Sequence, residues 1–198
     1  MVKKYDQAYF DRWYRDPAHR VITARALRRK VTMVSGMAEH VLRREIRSVL
    51  DIGCGEAPWR AELRRLRPRV SYLGLDASEY VVGRYGHSRN IRQASFADTR
   101  KVVGVERYDL VVCSDVLHYI SEPELLEGLA AIADALAGIA FLEVLTKEDD
   151  PDGDLTGFYV RSASLYRRIF EEAGLRSVGM HCYVGPGLAE SMSALEKL

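Results

Sequence analysis

Apolar positions in the first part of the chain recur at near-helical spacing. Between Ile22 and Val41 they fall at Ile22, Ala26, Leu27, Val31, Val34, Met37, Ala38 and Val41, the stripe of an amphipathic helix. The wider stretch 5–47 reads as helical and basic. From Arg12 to Arg47 it holds ten Lys/Arg against three Asp/Glu. Tyr5, Tyr9 and Trp13 share one stripe at i, i+4 and i+8. That stripe is either a face packed on the rest of the chain or a lid over a site.

After residue 47 the pattern changes to short apolar runs alternating with helical segments. Strands are predicted at Ser48–Ile52, Val70–Leu75, Arg92–Phe96, Asp109–Cys113 and Ile139–Leu145. Helices are predicted at Trp59–Leu66 behind Pro58, at Glu79–Tyr85, at Glu122–Leu136 and at Ala163–Ala173. Pro58 suits a first helical position. Ser121 and Glu124 have capping-box spacing, and Gly174 is a helix stop. Two last strands are expected at Ser177–Val184 and Met192–Lys197, joined by Gly185-Pro186-Gly187. Alternating strands and helices imply βαβ units and a mostly parallel sheet. The last connection is too short for a parallel crossover, so one of the final strands must run antiparallel.

The composition narrows the class of protein. The net charge of +1 sets up no global field toward nucleic acid or membrane. No apolar run approaches the ~18 residues of a spanning helix, and the polar, aromatic N-terminus does not resemble a signal peptide. Cys54, Cys113 and Cys182 are scattered, without metal spacing. No metal site and no membrane contact are expected, and a reducing cytoplasm is the simplest location.

Chemistry is expected beyond the carboxyl ends of the strands. The first strand runs into Val49–Pro58, VLDIGCGEAP. Its glycines permit a sharp turn and close approach to a ligand. Asp51 and Glu56 flank them, which disfavours a pyrophosphate and favours a cationic ligand. Pro58 removes a helix N-terminal N–H that a phosphate would use. Asp76 closes the second strand, placed to accept ribose hydroxyls. NAD and S-adenosylmethionine share that ribose, so Asp76 alone does not separate them.

Val49–Gly55 followed by Leu73–Ala77, with Ala94-Ser95-Phe96-Ala97-Asp98 and Tyr108–Ile120, resembles the class I S-adenosylmethionine-dependent methyltransferases over roughly residues 45–198. The resemblance implies an α/β, Rossmann-like three-layer sandwich. Its sheet is seven-stranded and mostly parallel, with a C-terminal antiparallel β-hairpin strand and added N-terminal helices. It implies an enzyme that uses S-adenosylmethionine. It also implies a cofactor-binding set of Asp51, Gly53, Cys54, Gly55, Asp76, Ala77, Phe96, Ala97, Asp98 and Ser114. Gly53 and Gly55 would pass beneath the methionine part, with Asp51 near its ammonium. Asp98 would contact the adenine amino group, Phe96 and Ala97 would line the base, and Ser114 would touch the methionine end. Ala57 stands where many members have a third glycine, and tighter packing rather than lost binding is expected there.

The acceptor side is less legible. His118, Asp115 and Tyr119 follow the fourth strand as candidate catalytic groups, with His118 a possible general base. Glu143, a strand acid, needs a partner. Arg161 could hold a carboxylate. Residues 1–45 are expected to form a helical cap or lid and 46–198 the cofactor-binding domain, together one unit, as a monomer or homodimer. The leading acceptor is a small molecule, for O- or N-methylation. The basic segment and the cluster Arg60, Arg64, Arg65, Arg67 and Arg69 motivate an RNA- or protein-directed enzyme as the alternative. An Asn/Asp-Pro-Pro-aromatic signature of amino-directed methylation does not occur. A non-catalytic binding protein on the same scaffold is the third reading.

Overall fold

The computed structural model describes residues 3–150 and 154–192. Its strands are β1 (Ser48–Ile52), β2 (Ser71–Asp76), β3 (Ile91–Gln93), β4 (Tyr108–Ser114), β5 (Leu136–Glu143), β6 (Arg176–Gly179) and β7 (Cys182–Val184). They form one seven-stranded sheet in the order β3-β2-β1-β4-β5-β7-β6. The first five are parallel, and β7 runs antiparallel to both neighbours. Strand order reverses between β1 and β4, which opens a crevice beyond their carboxyl ends.

The central strands alternate between two cores, as a period of two requires. Leu50 and Ile52 of β1 face one side with Val111, Cys113, Ala140 and Leu142. Val49 faces the other with Leu110, Val112, Ile139 and Phe141. Helices α5 (Thr99–Val103), α6 (Glu122–Ala135) and α7 (Ala163–Glu172) cover the first core. Helices α2 (Ala24–Leu42), α3 (Pro58–Leu66), α4 (Glu79–Arg89) and the short α8 (Pro186–Ser191) cover the second. This is the three-layer α/β sandwich that the resemblance implied, with the mostly parallel sheet expected from the alternation. Helix α2 buries Leu27, Val31, Val34 and Ala38, with the Thr23 side chain capping its start by accepting from the Ala26 N–H at 3.2 Å.

Four local expectations are corrected. The stretch 5–47 is not helical throughout. A four-residue α1 (Gln7–Phe10) passes into a π-helical turn, Asp11–Arg15, and the chain leaves helix until Thr23. Pro17 lies in this break, where its ring and missing N–H oppose a continuing helix. The third strand stops at Gln93, so Phe96 sits in the following turn and α5, unforeseen, begins after Asp98. Ser177–Val184 is not one strand but most of a hairpin, β6 and β7. Its turn residues Met180 and His181 both have positive φ, 52° and 58°. That is the geometry Asn-Gly usually announces, and neither residue type announces it here. Gly185-Pro186 opens α8 instead of linking strands. Of the strand expected at Met192–Lys197, only Met192 is described, as the C-cap of α8.

Candidate active site

The glycine loop is held by β2. The N–H groups of Gly53 and Cys54 both donate to the Leu75 carbonyl, at 2.8 and 3.0 Å. Gly53 has φ 68°, and a Cβ there would lie 2.4 Å from a Val116 methyl. Gly55 has φ 52°, and a Cβ would meet the Tyr14 hydroxyl at 2.8 Å. Both positions therefore need glycine, for conformation and for space. Ala57, φ 56°, takes the left-handed region as an alanine and is buried at the start of α3. This costs about 1–2 kcal/mol. Its methyl packs in the core without entering the crevice.

Around this loop lies a cavity of about 960 Å³. Asp51, Gly53, Cys54, Gly55, Asp76, Ala77, Phe96, Ser114, Asp115, His118 and Tyr119 all line it. Ala97 and Asp98 do not. Asp98 turns outward, accepting from Ser95 Oγ at 2.6 Å and Lys101 Nζ at 2.7 Å, and these partners lower its carboxyl pKa, Lys101 most. Because β3 ends early, the turn carries Phe96 inward and leaves Asp98 on the surface. Gly128 of α6 makes room for the Phe96 ring, since a Cβ there would lie 2.1 Å from it.

Three carboxyl groups in the cavity are pushed above their ordinary range. Burial raises Asp51 to about 7, against the Tyr72 hydroxyl that donates to it at 2.7 Å. Asp76 is raised by burial and pulled back by two backbone donors, Ser78 N–H at 2.8 Å and Gly55 N–H at 2.7 Å. Each of its oxygens keeps a further lone pair. Asp115 rises to about 6, first through burial and then through the Glu143 charge, with Lys30 opposing. Asp115 also has φ 59°, a left-handed conformation that a non-glycine residue rarely adopts outside turns and functional sites. Glu56, expected to add to this acidity, does not line the cavity. Its carboxylate accepts from Arg15 at 2.5 Å and from the Tyr80 hydroxyl at 3.4 Å. The acids that line the cavity beside the strand ends are Asp51, Asp76 and Asp115 instead.

The other candidate groups find specific partners. Glu143 accepts from Ser114 Oγ at 2.6 Å and from Lys30 Nζ at 2.5 Å. Lys30 projects from α2 and lines the cavity. It went unnoticed in the sequence because it sits in a run of basic residues on a helix. His118 is buried, and burial lowers its pKa to about 4, with Lys3 adding to the effect. Its Nδ1 accepts from the Leu145 N–H at 3.5 Å, and its ring stacks on Phe158 at 4.6 Å. Tyr119 donates to the Asp154 carbonyl at 2.7 Å. Arg161 is no anion clamp. It is buried and donates to the Ile120 carbonyl at 2.7 Å and the Tyr166 hydroxyl at 3.2 Å, which fixes the turn that carries His118 and Tyr119.

The N-terminal segment roofs the cavity. Phe10 is buried, stacked on Tyr80 at 5.6 Å and set against Tyr14 at 5.0 Å. Tyr5, Tyr9 and Trp13 line the same space. The residues resting on Gly55 are Phe10 and Tyr14, one position along from the expected stripe. Among the described residues no cluster of His, Cys, Asp and Glu could hold a metal ion, and no helix is long and apolar enough to cross a membrane. The three cysteines are free and buried.

Residues 10–179 match a family model described as a methyltransferase domain. No curated protein matches the chain in sequence. Many solved structures share the fold. A SAM-dependent methyltransferase from Archaeoglobus fulgidus superposes with a TM-score of 0.64 at 16% identity, over 86% of this chain and 74% of that one. An S-adenosylmethionine-dependent methyltransferase from Clostridium acetobutylicum gives 0.63 at 12% identity, over 87% of each chain. The plantazolicin methyltransferase BamL, in complex with a triazolic desmethylPZN analog and SAH, gives 0.62 at 13% identity, over 77% of this chain and 65% of that one.

Proposed function

This chain belongs to the methyltransferase-domain family and is an S-adenosylmethionine-dependent methyltransferase, and we propose that it methylates an oxygen or nitrogen of a small molecule. The observation that carries the proposal is the roofed cavity. Its volume, about 960 Å³, lies at the top of the range of roughly 300–1,000 Å³ for small-ligand sites. That accommodates the donor and a compact acceptor together. The plantazolicin methyltransferase structure holds a triazolic desmethylPZN analog together with SAH. Four of the ten basic residues of the N-terminal run, which motivated a nucleic-acid acceptor, are paired within the protein, Lys30 with Glu143 among them. Arg15 pairs with Glu56, Arg28 with Glu62, and Arg44 bidentately with Asp109 at 2.7 Å.

The residues suit the donor. The two cramped glycines form a floor on which no side chain stands. Asp76, Ala77 and Phe96 would hold the ribose and adenine end. Asp51, Gly53, Cys54, Gly55 and Ser114 would hold the methionine end, with Asp51 opposite the ammonium. When bound, the donor supplies a sulfonium-activated methyl. A hydroxyl acceptor would give up one proton on taking that methyl, and an amine held as its ammonium would have to give up one proton beforehand.

Asp115 is the group that takes this proton, on a carboxylate oxygen. With a pKa raised to about 6, it is ionised near neutral pH yet more basic than an ordinary carboxylate. His118 suits the role less well. Burial holds it neutral, and its Nδ1 already accepts the Leu145 N–H, so the ring faces the cavity as a hydrogen-bond donor. Tyr119 positions the loop after β5 through its bond to the Asp154 carbonyl. Most of the acceleration comes from holding the acceptor in line and excluding water, which the aromatic roof does.

The test is methyl-labelled S-adenosylmethionine incubated with the protein and, side by side, a metabolite extract, total RNA and total protein. Label in a low-mass product is expected. Label confined to RNA or protein would overturn the small-molecule reading.

A further inference from the structure

The cavity wall contains a cation site, and the chain fills it with its own ammonium. Lys3 Nζ lies 3.4 Å from the centroid of the Tyr119 ring, 5.2 Å from that of Tyr5 and 5.3 Å from that of Tyr9. All three rings are within cation–π range. The Asp154 carboxylate stands 2.8 Å away. The Lys3 side chain is only 11% exposed, and Asp154 is its one charged partner among the described residues. Its charge is thus solvated by three aromatic faces and one carboxylate. Tyr5, Tyr9, Tyr119 and Asp154 also line the large cavity, together with Asp115.

We propose that this cage is the recognition site for an alkylammonium group on the methyl acceptor, and that Lys3 occupies it as an internal stand-in that the acceptor displaces. This rests on the small-molecule reading above and narrows it. The acceptor carries a cationic amine at the cage end and its reacting oxygen or nitrogen toward Asp115. The tyrosine faces and the carboxylate hold the amine as a cation against the opposing effect of burial, and a cation has no lone pair with which to attack a methyl group. The reacting atom is therefore a different one. Burial lowers the Lys3 pKa, with Asp154 opposing. An alkylammonium, less strongly hydrated than the lysine ammonium, loses less on entering the same cage and can replace it. A tethered competitor acts at an effective concentration in the millimolar range, so the intact chain binds free cations weakly and removing Lys3 unmasks the site.

The probe is choline, compared with its uncharged isostere 3,3-dimethyl-1-butanol, titrated calorimetrically into protein saturated with S-adenosylhomocysteine. Lys3→Met should bind choline at least about tenfold more tightly than the unaltered chain, with no gain for the isostere. Lys3→Ala, the second variant, should do the same. Adding Asp154→Asn or Tyr119→Leu to Lys3→Met should remove the gain. Equal choline affinity with and without Lys3, in variants that still bind S-adenosylhomocysteine, would make Lys3 a structural latch and overturn the proposal. Failure of S-adenosylhomocysteine to bind any form would instead strike the methyltransferase site, while choline binding to Lys3→Met would still report on the cage.

Discussion

Arg15, in the N-terminal segment, closes on Glu56 of the glycine loop at 2.5 Å. The pair joins the roof of the cavity to its floor, and Glu56 also receives the Tyr80 hydroxyl and, at its carbonyl, Arg89. An acid that read in the sequence as part of the loop's acidity is therefore a fastening. Arg15 is 42% exposed, so the pair adds only about 0.2–1 kcal/mol to stability. Its larger effect is on opening.

Arg15→Ala should leave the melting temperature within about 2–3 °C of the original. It should speed S-adenosylhomocysteine dissociation several-fold in stopped-flow experiments. Added salt should produce part of the same effect in the unaltered protein. An unchanged dissociation rate would show that the roof does not gate the donor.

Asp76→Ala should weaken S-adenosylhomocysteine binding by about 2–3 kcal/mol, through loss of charge-assisted bonds. The fold should also suffer, because Asp76 ties the Gly55 and Ser78 N–H groups. Calorimetry and thermal melts separate the two losses. Asp98→Ala, by contrast, should change affinity little, because Asp98 stands outside the cavity lining. A large loss there would return Asp98 to the adenine site.

Asp51 has a folded pKa of about 7 against an ordinary 3.8. The folded chain thus prefers the protonated acid. The stability this contributes is complete below pH about 4 and is lost as pH rises through about 7. Asp51→Asn should therefore raise stability at pH 8, by on the order of 2–4 kcal/mol, and change it little at pH 4. The same variant should bind S-adenosylmethionine less tightly. Thermal melts at both pH values and one titration check this, and a lower melting temperature at pH 8 would contradict it.

For catalysis the kcat profile should rise with pH to an inflection near 6, where Asp115 ionises. Asp115→Asn should lower kcat by about 10²–10⁴-fold and remove the inflection. His118→Asn should keep it. If the inflection followed His118 instead, the base assignment would be reversed.

Gly128→Ala should destabilise the protein by roughly 1–3 kcal/mol, as overpacking does. Its Cβ would fall on the Phe96 ring, and donor affinity should drop as that ring is displaced. Denaturant unfolding with and without S-adenosylhomocysteine measures both effects.

The chemical sequence by itself determined the order of strands and helices from β1 through α7 apart from α5, the antiparallel close of the sheet, and the loop Asp51–Gly55 with Asp76. These are local signals: apolar periodicity, glycines at a turn, an acid where a strand ends. β1 was legible to the residue because five apolar-dominated positions stand between turns. Tertiary structure alone decided which acids face inward. Asp98 and Phe96 are two residues apart, and only the early end of β3 and the space left by Gly128 turn the ring in and the acid out. The same holds for Lys30 meeting Glu143, for Arg161 buried beneath the His118 turn, for Arg15 neutralising Glu56, and for Lys3 enclosed by three tyrosines. Each is a contact between residues distant in the chain, set by how layers pack, and no periodicity along the sequence encodes it. The fold and the donor were readable from short-range pattern, whereas the contacts of Lys30, Arg161, Arg15 and Lys3 are built by long-range packing and emerged only with the folded chain.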